Sequence, residues 1–180
     1  MKLCVFDKEN KIKESVFEKI WRIILESFDD DEIRSYAEMK KLLNNPYFQI
    51  VSIVDGNELV GCMFIWKLDT FIFIENFAVK PDKRNSGIGH FALQYIKEYY
   101  HLPIILEAEL AESEIQKRRL NFYMRNGFNI NEYHYVMPAL KKDSNPLRLL
   151  ILSYPKLLNE EEFEVVKNKI YSIIYDGKHF

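Results

Sequence analysis

The stretch from Glu75 to His90 constrains the fold more than any other part of the chain. Glu75–Val79 is rich in β-forming residues, Pro81 interrupts that pattern, and Gly87-Ile-Gly89-His90 opens a segment with helical spacing. The predicted order is therefore strand, short loop and helix. Arg84 adds a cation, and glycines without a Cβ atom let backbone N–H groups approach an anion at the positive end of the helix dipole. Together these features predict a site that would fit a pyrophosphate.

This sequence resembles the GNAT superfamily of acyltransferases. In that family a strand ending in valine is followed by a short basic linker and by Arg/Gln-x-x-Gly-x-Gly/Ala at a helix start, and here Val79 precedes Arg84-x-x-Gly87-x-Gly89. A second segment, Phe122-Tyr123-Met-Arg-Asn-Gly127-Phe128, is similar to the family's Tyr-x-x-x-Gly-Phe segment at the end of the next helix. Two such segments in the family's order make the resemblance specific from Phe48 to Tyr135, and the flanks match by general pattern only.

The resemblance implies an α/β (α+β) fold. Its sheet would be mixed and mostly antiparallel, with helices on both faces and one parallel step at the coenzyme A-binding loop. It also implies an N-acetyltransferase that moves an acetyl group from acetyl-CoA, its cosubstrate, to a primary amine by direct attack. A non-catalytic acyl-CoA-binding sensor is the alternative.

The acceptor amine is not identified by the sequence. Polyamines, aminoglycosides, amino acids and peptide N-termini all stay open. The acidic run Asp29–Glu32 is explained first as an acidic helix start, because acids suit the helix dipole; attraction of a cationic small molecule is the alternative.

By resemblance, seven consecutive residues contact the pyrophosphate of the donor: Arg84, Asn85, Ser86, Gly87, Ile88, Gly89 and His90. The pantetheine arm would pair as an added strand with the backbone of Phe77, Ala78 and Val79. Gln116 and Arg119 share a helical face with Tyr123, and both are expected to contact the acetyl-CoA donor as well. The family commonly has Asn and Ala at those two positions, so Arg119 departs from its pattern and could instead alter the acceptor pocket.

Acyl transfer also needs an acid for the departing thiolate and a base for the amine. Tyr123 resembles the family's usual acid. For the base, Glu75 lies four residues before Val79, where several relatives place an acid, and in a regular strand it would share a face with Phe77. Glu107, Glu109 and a water molecule are competing bases, and a solvent-facing role for Glu75 is the alternative. Tyr133 and Tyr135 are candidate walls of the acceptor pocket, or packing residues.

A dinucleotide-binding fold competes with this interpretation. Gly87-x-Gly89-x-x-Ala92 satisfies the dinucleotide fingerprint, and Glu107 falls where a ribose-binding acid would lie. In such a site, however, the first glycine follows the strand almost directly, whereas residues 80–86 intervene here. No Gly-Lys-Ser/Thr sequence is present, which argues against a P-loop.

Composition sets the remaining limits. A net charge of -2 and a pI near 6.1 give no general attraction to nucleic acid or to anionic membranes, and no apolar run reaches the ~18 residues of a membrane helix. We therefore expect a cytoplasmic protein. Cys4 and Cys62 are expected to be reduced, and the cysteines and histidines show no metal-ligand spacing.

Length and composition predict one domain over residues 1–180, and the oligomeric state stays open, a homodimer included. Helices are expected at 15–28 with a Ser15-x-x-Glu18 capping box, 31–44, 88–100 and 113–126, the last with Gly127 just after its end. Strands are expected at 1–6, 102–109, 128–136 and 147–153, and three antiparallel strands at 48–54, 59–67 and 71–79. An extra C-terminal helix is expected at 159–176, capped by Asn159-x-x-Glu162, with its apolar face formed by Phe163, Val166, Ile170 and Ile173.

Overall fold

The computed structural model describes residues 1–177 and contains two compact units, Met1–Leu102 and a second unit that begins at Pro103. The first unit contains four strands and three helices: β1 (Lys2–Phe6), α1 (Glu14–Leu25), α2 (Tyr36–Leu42), β2 (Phe48–Asp55), β3 (Glu58–Lys67), β4 (Ile72–Val79) and α3 (Ile88–Tyr100). Two 3-10 turns, Asp30–Glu32 and Pro81–Lys83, lie in the connections.

The strands of the first unit pair in the order β1-β2-β3-β4, and every pair is antiparallel. The predicted three-strand meander is therefore confirmed. Strand β3 is central, and its residues from Val60 to Trp66 are buried. Helix α1 packs on β3 and β4, and α3 packs on β4, so the core of this unit lies between the sheet and these helices.

Two details of the predicted helices were wrong. Helix α1 begins at Glu14 after Lys13, which makes no side-chain cap, so Ser15 lies inside the helix instead of capping it. The predicted helix over 31–44 is divided: the acids form the 3-10 turn, and α2 begins only after Ser35, whose hydroxyl accepts from the backbone N–H of Glu38. A strong local cap at Ser35 explains the later start.

The second unit contains β5 (Ile104–Glu109), α4 (Glu114–Arg125), β6 (Asn129–Asn131), β7 (Val136–Met137), β8 (Leu147–Tyr154) and α5 (Glu160–Lys169), and a π-helical turn (Ile170–Ile174) follows α5. Strand β8 pairs antiparallel with β5, β6 and β7. Gly127 lies just beyond α4 at φ +80°, which confirms it as the residue that ends the helix.

The single strand predicted over 128–136 is instead two short strands. Both pair with β8, but the chain leaves the sheet after Asn131. The buried Asn131 amide donates to Ile151 O and to Ser153 Oγ, both at 3.0 Å, and its oxygen accepts from Leu158 N at 2.9 Å. This side chain joins three segments, because a buried amide must satisfy its own donors and acceptor.

The C-terminal helix is capped as predicted, since Asn159 accepts from the backbone N–H of Glu162. Its predicted apolar face was wrong at the end. Tyr175 N donates to Ile170 O at 3.2 Å, five residues back, and this wider turn buries Ile174 where Ile173 was expected.

The mixed α/β fold with mostly antiparallel strands and flanking helices confirms the predicted fold class. In the described residues, no helix is long and apolar enough to cross a membrane. Cys4 and Cys62 are free thiols, and Cys62 is buried. A cytoplasmic location, the domain count and the oligomeric state stay predictions.

Candidate active site

The loop between β4 and α3 contains two residues with positive φ. Asn85 has φ +62° and Gly87 has φ +84°, and Gly87 caps α3. Phe91 N donates to Gly87 O at 3.0 Å, so the N–H groups of Ile88 and Gly89 precede the first bond of the helix. No atom lies within 4 Å of a Cβ built on Gly87. The loop therefore presents backbone donors and a helix N-terminus to open space.

Arg84 is folded back over the end of β4. Its Nε donates to Val79 O at 3.0 Å and its Nη2 to Ser27 Oγ at 3.3 Å, while the residue stays exposed. Lys80 and Lys83 lie in the same linker, and both pair with Glu58, at 3.1 and 2.9 Å. Hydrogen bonds from these lysines lower the pKa of the Glu58 carboxyl. Arg84 therefore lies beside the glycine loop, with its guanidinium bonded to the end of β4.

The other loop residues differ in exposure. Asn85, Ser86 and His90 are exposed and Gly89 is half-buried, but the Ile88 side chain is in the core. The Ser86 hydroxyl donates to Lys83 O at 2.5 Å and so stabilises the turn. Ile88 can therefore contact a ligand only through its backbone.

The end of β4 is held closely against β3. Phe77, Ala78 and Val79 pair with Met63, Cys62 and Gly61. A Cβ on Gly61 would lie 2.6 Å from Ala78 O, so this close approach requires glycine there. Sequence reasoning missed Gly61, because a lone glycine inside a strand pattern signals only a bulge or a close backbone contact.

Glu75 occupies a β-bulge. Phe64 pairs with Asn76 and Ile65 with Ile74, so Glu75 is the extra residue of β4. Its Oε1 accepts from Arg34 Nε at 2.8 Å and its Oε2 from Trp66 Nε1 at 2.7 Å. The Glu75 side chain is only 3% exposed, so both the regular strand and the solvent-facing alternative were wrong. Arg34 and Trp66 were missed.

In the second unit, Tyr123 lies on α4 with its ring against Phe122 and Phe128, at centroid distances of 5.2 and 5.8 Å. Burial raises the pKa of Tyr123 to about 12, and the charge of Arg119 opposes that rise. Among residues 1–177 its hydroxyl has no hydrogen-bond partner. Every fully buried side-chain oxygen of those residues does have a partner. The Tyr123 oxygen is therefore not fully enclosed by the described residues.

Gln116 and Arg119 share a face of α4, as predicted, and both contact Glu109. Gln116 Nε2 donates to Glu109 Oε1 at 2.9 Å, Arg119 pairs with Glu109 Oε2, and the Gln116 oxygen also accepts from Ser113 N at 2.7 Å. Gln116 thus completes the capping box of α4. That these two residues contact the cosubstrate stays a prediction.

Glu107 accepts hydrogen bonds from the hydroxyls of Tyr135 and Tyr175. Tyr135 is 1% exposed and is therefore a packing residue. Tyr133 packs its ring on Phe163 with centroids 4.7 Å apart. Among the described residues, no group of three His, Cys, Asp or Glu side chains is arranged to hold a metal ion, and His179 lies outside them.

Known proteins with the same architecture were found by sequence and by structure. The sequence model described as "Acetyltransferase (GNAT) family" matches residues 13–128. The Bacillus subtilis (strain 168) protein YjbC, whose name places it among acetyltransferases, is 28% identical over 157 residues, covering 85% of this chain and 79% of YjbC.

Two solved structures show the same fold. A GNAT-family protein of Bacteroides thetaiotaomicron has a TM-score of 0.89 at 27% identity and covers 99% of this chain and 100% of its own. An acetyltransferase of Elizabethkingia anophelis with acetyl-CoA bound has a TM-score of 0.56 at 16% identity, covering 84% and 95%. At that identity the second likeness concerns the fold alone.

Proposed function

The chain belongs to the GNAT family of acetyltransferases, and we propose on that premise that it transfers an acetyl group from acetyl-CoA to a primary amine of a cationic small molecule. The observation that carries the proposal is the loop that ends in Gly87. A left-handed glycine, an unobstructed helix N-terminus and the adjacent Arg84 together favour a phosphate group.

The donor is bound in two parts. The pyrophosphate is held by backbone N–H groups of residues 85–90 and by Arg84, which exchanges its bond to Val79 O for a phosphate oxygen. The pantetheine arm pairs with the backbone of Phe77, Ala78 and Val79, whose side chains serve the core. This division explains why Ile88 contributes through its backbone alone.

The chemistry is a direct displacement. The neutral amine attacks the thioester carbon, a C–N bond forms, and collapse of the tetrahedral intermediate breaks the C–S bond. Tyr123 gives its hydroxyl proton to the departing thiolate. Its pKa of about 12 keeps it protonated at neutral pH, which is the state an acid needs.

The amine proton requires a carboxylate or a water. The sequence predicts Glu75 as the base, and that role stays a prediction. Both Glu75 oxygens are already bonded by Arg34 and Trp66, and Glu109 is paired with Arg119. An arginine neutralises each of these two carboxylates, which favours structural roles for them. We propose that Glu107, which accepts from the hydroxyls of Tyr135 and Tyr175, takes the proton.

A panel of amines tests the function. Purified protein is incubated with acetyl-CoA and with polyamines, aminoglycosides, amino acids or peptides, and free thiol is measured. We expect acceptor-dependent thiol release, highest with polycationic amines. Tight binding of acetyl-CoA by calorimetry with no release above the amine-free rate would instead support the acyl-CoA sensor. A loss of both binding and release would contradict each of these functions.

A further inference from the structure

The C-terminal π-helical turn brings a buried hydroxyl to a carboxylate on β5. Tyr175 N donates to Ile170 O five residues back, and Ile170, Tyr171, Ile174 and Tyr175 are all buried. Such wide turns are rare, and they occur frequently at functional sites. The turn is therefore a candidate functional element.

Tyr175 contacts Glu107 directly. Its hydroxyl lies 3.0 Å from Oε1 and 2.8 Å from Oε2 of that carboxylate, and the Tyr135 hydroxyl donates to Oε1 as well. Tyr175 is 2% exposed and Tyr135 1% exposed, so neither ring can turn away without disturbing the core. The carboxylate is thus fixed by donors from two segments far apart in sequence.

A third tyrosine, Tyr171, supports this arrangement through its ring. The Tyr171 ring stacks on Tyr135 at a centroid distance of 5.6 Å and an interplanar angle of 19°. Its hydroxyl donates to Val136 O at 2.8 Å. Tyr171 therefore fixes the ring of Tyr135, while Tyr135 and Tyr175 supply hydrogen bonds to the carboxylate.

The hydroxyls of Tyr135 and Tyr171 keep their protons across the physiological range. Burial raises the pKa of Tyr135 and that of Tyr171, and the charge of Glu107 adds to both shifts. Protonated hydroxyls donate, and hydrogen bonds donated to a carboxylate favour its ionised form. The Glu107 carboxylate is accordingly held in a fixed orientation by the hydroxyls of Tyr135 and Tyr175.

We propose that Tyr175 is a positioning residue of the acetyl-transfer reaction, which orients the Glu107 carboxylate so that it takes the proton of the acceptor amine. This inference rests on the proposed function. As the C–N bond forms, the amine proton passes to Glu107; as the C–S bond breaks, the Tyr123 proton passes to the thiolate; solvent then restores both groups. Tyr175, the residue that follows the C-terminal turn, thereby acts on the reaction through Glu107.

The test compares two hydroxyl deletions in the same turn. Tyr175→Phe removes the donor to Glu107 and keeps the ring, and Tyr171→Phe is the matched control because it removes the hydroxyl that donates to Val136 O and also keeps the ring. We expect Tyr175→Phe to lower kcat about tenfold, a fraction of the ~10²–10⁴ of general-base catalysis, with an unchanged Kd for acetyl-CoA. Tyr171→Phe should stay within about threefold of the parent.

A double-mutant cycle separates positioning from packing. In a Glu107→Gln background, Tyr175→Phe should cause no further loss of kcat, because the carboxylate it orients is gone. Equal losses from Tyr175→Phe and Tyr171→Phe, or fully additive losses with Glu107→Gln, would overturn the proposal. If Tyr175→Phe does not fold, Tyr135→Phe takes its place with the same expectations.

Failure of the proposed function gives a different result. A parent protein that releases no thiol with any amine refutes acetyl transfer, and with it the catalytic use of Glu107. The Tyr175–Glu107 contact is still measurable then, as non-additivity of the two substitutions in urea unfolding. An active parent with an unaffected Tyr175→Phe variant refutes only the positioning role.

Discussion

Arg34 donates from its Nε to Glu75 Oε1 at 2.8 Å, and the two side chains are 9% and 3% exposed. The pair joins the segment before α2 to the bulge in β4, and Trp66 binds the second carboxylate oxygen. A buried charge needs such partners because its desolvation is costly. The pair therefore identifies Glu75 as an anchor of this segment.

Arg34→Met should strongly destabilise the protein, because it leaves the Glu75 carboxylate buried without its cation. Breaking a buried pair typically costs about 3–5 kcal/mol, which corresponds to a fall in Tm of roughly 10 °C for a chain of this size. Thermal unfolding measures it. Lys117→Met, which removes an exposed pair with Glu114, is the control and should leave Tm unchanged. Equal Tm values for the two variants would contradict the anchoring role.

Gly87→Val should abolish binding of coenzyme A, because valine is strained at positive φ and its side chain would block approach to the loop. Gly56→Val is the matched control. Gly56 also has positive φ and open space around its Cβ position, but it lies in the β2–β3 hairpin. Calorimetry should detect binding in the Gly56 variant only, and normal affinity in a folded Gly87→Val protein would exclude the loop as the site.

Arg84→Ala should weaken coenzyme A binding less than Gly87→Val does. The effect should be larger at low salt than at high salt, because salt screens an exposed charge. Titrations at two ionic strengths measure this difference. A salt-independent loss would indicate that Arg84 acts through its bonds to Val79 O and Ser27 Oγ.

Tyr123→Phe should keep acetyl-CoA binding and lower kcat about 10²-fold, the low end for a general acid, because a thiolate already leaves readily. Turnover at saturating substrates and neutral pH measures it. Tyr133→Phe, a hydroxyl deletion on a ring that packs against Phe163, is the control. Turnover of Tyr123→Phe within about threefold of the parent would leave Tyr123 as a core residue.

Stability should fall above pH 10, because the folded protein holds the Tyr123 proton more tightly than the unfolded chain does. Its pKa rises from 10.0 to about 12, so the contribution is complete below pH 10 and is lost as the pH passes from 10 to 12. At about 1.4 kcal/mol per pKa unit the full contribution is about 3 kcal/mol. Urea unfolding between pH 8 and pH 11 should show a shallower decline for Tyr123→Phe than for the parent.

The sequence by itself determined the features that depend on neighbouring residues. The strand, linker and helix from β4 to α3, the end of α4 at Gly127 and the cap at Asn159 are all local. Backbone sterics and side-chain periodicity act over a few residues, so these elements can be predicted from spacing alone. The same spacing brought the family resemblance, which the comparisons confirmed.

The tertiary structure decided which carboxylates are paired and by what. Arg34 and Glu75 are 41 positions apart, and Glu107 and Tyr175 are 68 positions apart. The bulge that redirects Glu75 and the π-helical turn that delivers Tyr175 each depend on one extra residue in a regular pattern. Packing and the need to satisfy buried charges determine which residues pair at such separations. Neither can be inferred from the residues adjacent in sequence.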